Sequence, residues 1–209
     1  MTPRRELVPV EVAAVVAIAV GWAVATPRWS VAIPLLVAAS ASRYLRGGSW
    51  QELLRGGRAH VLVGVAVGGV ALALAVVVAS PVVEAIAARS VEWSTTPIVR
   101  GSAYQAFAVA LVTIALAVAT ELALRGWIVE RVAELAGAHG SRAMPIFVGA
   151  VVEAAVGSGD LAARLGAGLF GAGLSWLYFA AGRTVTAPIA ARMTFQLGAL
   201  GLEALRVVG

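Results

Sequence analysis

A chain of 209 residues is long enough for one or two water-soluble domains. However, 60% apolar residues against 13% charged, with a mean hydropathy of +0.90, leave too little charge to cover a water-facing surface. The composition reads as an integral membrane protein. The net charge of +5 arises from 16 basic residues, all arginine, against 11 acids. No basic run interleaved with aromatics supports nucleic-acid binding, and the lack of cysteine excludes disulfides, thiolate metal sites and a cysteine nucleophile.

Taken in chain order, a short basic start (Arg4, Arg5) leads into a first apolar span, residues 7–25, with Glu11 near its beginning. Glu11 and the lack of an A-x-A site argue against a cleavable signal peptide. Glu11 can sit at the membrane interface or face the bundle, and the interface is the favoured reading. Thr26-Pro27-Arg28 breaks the span. Residues 29–41 form a shorter second span holding Pro34, and residues 42–60 are polar, with Arg43, Arg46, Arg55 and Arg58. Within them, residues 50–58 suggest an amphipathic surface helix. Residues 61–80 are an uncharged third span, twenty residues long, which at about 1.5 Å each covers a hydrocarbon core of about 30 Å. A connection from Pro81 to Ser102 follows, then a fourth span, residues 103–124. Residues 127–135 read as an amphipathic helix. Residues 143–157, broken by Glu153, residues 161–181, and residues 184–202, with Arg192 in the middle, complete seven spans.

Lipid obliges each span to satisfy its own backbone, so the fold class is all-α: a polytopic bundle of about seven transmembrane helices in one domain, residues 1–209. With the N-terminus inside, cytoplasmic segments hold Arg4, Arg5, Arg43, Arg46, Arg55, Arg58, Arg125, Arg131, Arg142 and Arg183, and the other side holds Arg28, Arg89, Arg100, Arg164 and Arg206. The positive-inside rule therefore places the N-terminus in the cytoplasm. Trp29, Trp50, Trp93 and Trp127 fall near the expected boundaries as interfacial anchors, whereas Trp22 and Trp176 read as packing residues. Gly64 and Gly68, and the glycines between Gly166 and Gly173, suit close helix contact rather than a phosphate loop.

Ionisable residues at membrane depth cost at least about 2.5–3.5 kcal/mol each on insertion scales, so they are usually paired or functional. Glu121 and Arg125 lie four apart on one helix face. Glu153 interrupts the fifth span, and Arg192 the seventh, with Gln196 one turn further on. Two acids and two bases balance, so the fourth, fifth and seventh spans are expected to turn these side chains toward one another, Glu153 within ion-pair distance of Arg192. Both a buried clamp that fixes helix register and an intramembrane site are compatible with this pattern.

The same residues carry a family resemblance. Thr120-Glu121-Leu122-Ala123-Leu124-Arg125-Gly126 resembles the E-E-x-x-x-R-G motif of the CAAX-processing and bacteriocin-processing (CPBP, or Abi) intramembrane proteases. The stretch from Leu177-Tyr178 through Ala187-Pro188-Ile189 to Arg192 resembles that family's closing segment, where a His and, four residues later, an Asn stand. Gly149 to Glu153 stands as the counterpart of its F-x-x-x-H motif. The resemblance covers about residues 103–202 and implies a multi-helix membrane endopeptidase in which the first Glu activates water and the His and Asn residues bind or polarise the substrate. In this chain Thr120 replaces the first Glu, Glu121 and Arg125 keep the second Glu and the Arg, and Glu153, Arg192 and Gln196 replace the two His and the Asn. The only histidines, His60 and His139, fall in expected loops.

The substitutions bear on the chemistry. Threonine is no general base near neutral pH, carboxylates without a His cluster make a poor zinc site, and Arg192 keeps its proton but can face an oxyanion. The resulting expectation is a substituted CPBP-like protein, without cofactor or metal, that binds a membrane protein, a lipidated peptide or membrane lipid, or acts as a scaffold. The alternatives are a working endopeptidase using Glu121 or Glu153, and a small transporter. Arginine-only usage points to a GC-rich bacterium, hence to the inner membrane.

Overall fold

The computed structural model describes residues 8–25, 30–87, 103–137, 141–157 and 160–204, and every regular element among them is helical. In chain order these are α1 (Val8–Ala25), α2 (Ala32–Leu45), α3 (Trp50–Leu53), α4 (Arg58–Leu74), α5 (Ser80–Ala87), α6 (Ala103–Ala123), α7 (Glu130–Ala136), α8 (Ala143–Val156), α9 (Leu161–Ala180) and α10 (Thr186–Ala204). Two π-helical turns, Ala75–Ala79 and Leu124–Val129, join α4 to α5 and α6 to α7 without a break.

Two helices among the described residues are long and apolar enough to cross a membrane: Arg58–Ala85, 28 residues, and Ala103–Ala136, 34 residues. At about 1.5 Å per residue both exceed a hydrocarbon core of about 30 Å. α2 and α8, the expected second and fifth spans, have 14 residues each and reach only about 21 Å.

Several expected boundaries shift. Pro81 does not open a connection but lies in α5, directly after a π turn, whose wider winding accommodates a residue without an N–H. Residues 127–135 are helical and amphipathic as expected, with Leu135 exposed beside buried Val132 and Ala133, but they form no separate helix. They continue α6 into the interior, where Trp127, Ile128, Val129, Val132 and Ala133 are all buried. Of residues 50–58 only Trp50–Leu53 is helical before α4 begins, and Leu53 is buried. His60 lies in the first turn of α4 rather than in a loop, while His139 lies outside the described residues.

One end of the bundle is tied together by polar contacts. Arg46, just past α2, grips Glu11 in the first turn of α1 through Nε at 2.9 Å and reaches Glu134 in α7 at 3.3 Å. Arg131 also binds Glu134. Tyr178 donates its hydroxyl to Glu130 at 2.7 Å, and Arg183 approaches the same carboxylate at 3.3 Å. The Val185 amide and the Thr184 hydroxyl donate to the Leu53 carbonyl at 3.0 and 2.8 Å. The start of α1, the ends of α2, α7 and α9, and the starts of α4 and α10 therefore share one end. Glu11 is buried there, its carboxylate also receiving the Ser42 hydroxyl. The interfacial reading of Glu11 is thus corrected: an acid in an apolar helix reaches for a cation, and Arg46 supplies it.

α4 and α10 run parallel in close contact. A Cβ on Gly64 would sit 2.3 Å from the Ala187 carbonyl oxygen, and one on Gly68 2.3 Å from that of Ala191. Small residues here let two backbones meet, as the spacing suggested. The core gathers Leu35, Leu124 and Trp127 in one cluster, Val129, Tyr178 and Val185 in a second, and Leu174, Leu177, Ala187 and Ala191 in a third. Trp127 is 1% exposed and Trp176 61% exposed, the reverse of their expected roles as anchor and packing residue. Trp127 follows the buried Arg125 into the interior, while Trp176 takes the outer face of α9 with Leu165 and Leu169. Trp50 is half-buried. Trp29 and Trp93 lie outside the described residues, as does the Trp22 side chain.

Candidate functional site

The site is set by where three helices place four charged side chains. Glu121 ends the regular part of α6, and Arg125 is the second residue of the π turn that follows. Four residues of separation keep both on the inner face, and both are 0% exposed. Such turns occur preferentially at functional positions because the extra residue re-aims the side chains around it. Glu153 stands one turn before the end of α8, and Arg192 stands six residues into α10, about 9 Å from that helix's start. Both are 6% exposed.

These four side chains form a closed ring of alternating charge. Arg125 donates from one terminal nitrogen to Glu121 Oε1 at 3.2 Å and to Glu153 Oε2 at 2.7 Å. Arg192 donates through Nε to Glu121 Oε1 and through its terminal nitrogen to Glu153 Oε1. Each carboxylate thus touches both guanidiniums, and each guanidinium both carboxylates. The second terminal nitrogen of Arg125 donates to the Gly171 carbonyl at 2.7 Å, bringing α9 into the ring. The Arg192 guanidinium lies 5.6 Å from the centre of the Phe170 ring. The expected convergence of the fourth, fifth and seventh spans is therefore present, with Glu153 and Arg192 in direct contact.

Gly171 makes room for it. A Cβ there would lie 2.8 Å from Glu153 Cβ and 3.0 Å from its Cγ. Gly149, on the same side of α8 as Glu153, meets α9 with equal closeness, 2.6 Å from the Ser175 hydroxyl. The glycines of α8 and α9 thus set the depth at which Glu153 enters.

Two of the six expected site residues stay outside the ring. Thr120 is half-buried on α6 and has no hydrogen bond to any ring member. Gln196 is half-buried one turn beyond Arg192, with its Oε1 buried and without a hydrogen-bond donor, as is Glu121 Oε2. Among the described residues no three His, Asp or Glu side chains cluster closely enough to hold a metal ion.

Sequence reasoning missed the Gly171 carbonyl and the Glu11, Arg46, Glu134 and Arg131 network at the bundle end. A signal for the second existed: a lone acid in an apolar span has to find a cation, and Arg46 was available one connection later. Arg125 was counted among cytoplasmic arginines, yet it lies wholly inside the bundle. Removing it leaves nine against five, and the sign of the asymmetry holds.

No family model, curated protein or solved structure matches this chain.

Proposed function

We propose that the chain is an integral membrane protein built like the CPBP intramembrane proteases, that its motif positions hold a structural charge ring, and that it acts without catalysis. Its work is then scaffolding, or binding a membrane protein, a lipidated peptide or membrane lipid. The membrane reading is supported by exposed apolar side chains among the described residues: Leu62 and Val70 of α4, Val77 of the π turn after it, Phe107 and Val112 of α6, and Leu165 and Leu169 of α9. The alternation of helix ends supports seven passes with the N-terminus at the arginine-rich end. That end is cytoplasmic in this reading, and the membrane is a bacterial inner membrane. α2 and α8 then stop short of the full thickness.

The observation that carries the non-catalytic reading is ring closure. A water-activating carboxylate needs an oxygen that is free of cationic partners and faces water beside the bond to be cut. Glu153 has both oxygens engaged by guanidiniums that never release their protons. Glu121 Oε1 accepts from two donors.

One atom favours the endopeptidase alternative, because Glu121 Oε2 has no donor. The two readings part in one assay. Purified protein in detergent or liposomes is incubated with a prenylated peptide and with a transmembrane peptide, and products are followed by mass spectrometry. No cleavage above the level of Glu121→Gln is expected. Turnover that Glu121→Gln abolishes, with the variant still folded, overturns the non-catalytic reading.

A further inference from the structure

The arginine-rich end of the bundle carries more positive charge than its acids neutralise, and the surplus is local. Glu11 is held by Arg46, Glu134 by Arg46 and Arg131, Glu130 by Arg183, and Glu52 lies 3.8 Å from Arg43. Arg55 and Arg58 are exposed and meet no acid among the described residues. They flank the Gly56-Gly57 pair that leads into α4, and the first turns of α4 and α10 contain no acidic residue. A Cβ on Gly56 would lie 2.4 Å from Thr186, so this pair abuts the start of α10 and the turn holding Arg183.

The same segment is apolar between its charges. Leu54, Val61 and Leu62 are 44%, 42% and 68% exposed. A soluble anion would match the arginines and leave these side chains in water. A partner with a negative head and an apolar body matches both, because arginine lays its stem along apolar surface while its head stays polar.

We propose that Arg55 and Arg58, with the rim formed by Leu54, Val61 and Leu62, bind the headgroup and upper acyl chains of an anionic phospholipid. This rests on the membrane reading above. The lipid phosphate lies between the two guanidiniums, and Arg183, already shared with Glu130, adds less. Each arginine near a charged lipid surface changes binding about fivefold.

The test uses the detergent-purified full chain and native mass spectrometry with added phosphatidylglycerol or phosphatidylcholine. The wild type is expected to retain phosphatidylglycerol preferentially. Arg55→Gln with Arg58→Gln is expected to erase that preference, while Arg142→Gln, another exposed arginine, keeps it. Equal retention of both lipids, or a preference that survives the double variant, overturns the proposal. Displacement of phosphatidylglycerol by inorganic phosphate assigns the site to a soluble anion and overturns it equally. Alkaline carbonate extraction of native membranes reports separately on the membrane reading: release into the supernatant sinks that reading, whatever the lipid preference.

Discussion

Two guanidiniums and two carboxylates buried in one place raise a question of sign. A charge pair at 4 Å gains about 4 kcal/mol at an effective dielectric constant of 20, while desolvation costs several kcal/mol per ion. The intact ring therefore contributes little net stability, and an incomplete one is expensive. Glu153→Gln or Arg192→Met alone leaves a net buried charge and is expected to cost about 3–5 kcal/mol in detergent unfolding. Glu153→Met together with Arg192→Met leaves the neutral Glu121–Arg125 pair and should recover most of that loss, a coupling a double-mutant cycle reads directly. A simple exchange, Glu153→Arg with Arg192→Glu, should not rescue. It would set a new guanidinium beside Arg125 and a new carboxylate beside Glu121, both of which touch the exchanged positions. A double methionine variant as unstable as either single one would show that the four groups do not act as a ring. Charge balance and four-residue spacing made the ring's members legible in the sequence. Its closure was not, because that depends on Gly171 admitting Glu153 and on its carbonyl taking the spare Arg125 nitrogen.

At the level of helices, glycine divides into positions that carry contact and positions that do not. Gly64 and Gly68 face the backbone of α10, and Gly168 and Gly171 face α8, while nothing lies within 4 Å of a Cβ on Gly69 or Gly166. Gly64→Ala sets a methyl group against a carbonyl oxygen that cannot swing away, so α4 and α10 must separate. The expected cost is about 1–3 kcal/mol. Gly69→Ala and Gly166→Ala meet open space and should be neutral or stabilise by about 0.4–1 kcal/mol through the unfolded chain. Gly171→Ala should resemble Glu153→Gln more than Gly64→Ala, because what it displaces is the Glu153 stem. Melting curves of these variants under one detergent condition check the order, and a destabilising Gly69→Ala would contradict the open face. The G-x-x-x-G spacing announced a close helix contact on α4, but not that α10 would make it. The run from Gly166 to Gly173 gave no clue to which glycine faced inward, since a period of 3.6 spread over four glycines leaves the inner face undetermined until α8 is placed. The same limit applies to Trp127 and Trp176: aromatic content near a span end suggests an anchor, but the continuation of α6 through a π turn moves the end more than two turns onward.

For the whole molecule, the decisive quantity is which helix ends share a side. The hydropathy pattern announced the order of apolar segments well, and the structure keeps that order from α1 to α10. Length was less legible, because helix ends are set by partners such as Arg46 and Glu134 rather than by apolar runs, so the helix that begins as α6 runs on through the π turn and α7 to Ala136, while α2 and α8 have only 14 residues each. The shared end nonetheless has a definite consequence. Gln51, in α3, belongs to the end where Glu11, Arg46 and Glu134 meet, whereas Asp160, which caps α9 by accepting the Ala163 amide at 2.9 Å, begins the helix that runs back to that end at Tyr178. The chain contains no cysteine, so a single introduced thiol reports without background. Gln51→Cys should react with an impermeant maleimide only in inverted vesicles, and Asp160→Cys only in right-side-out ones. Loss of the cap in the second variant costs about 1 kcal/mol, too little to reverse the topology proposed from nine arginines against five. Labelling of both thiols from one side would mean that α9 does not traverse the bilayer, and the seven-pass arrangement would fall with it. Labelling from opposite sides but in the inverse sense would keep the bundle and reverse only its orientation, placing Arg55 and Arg58 against the outer leaflet.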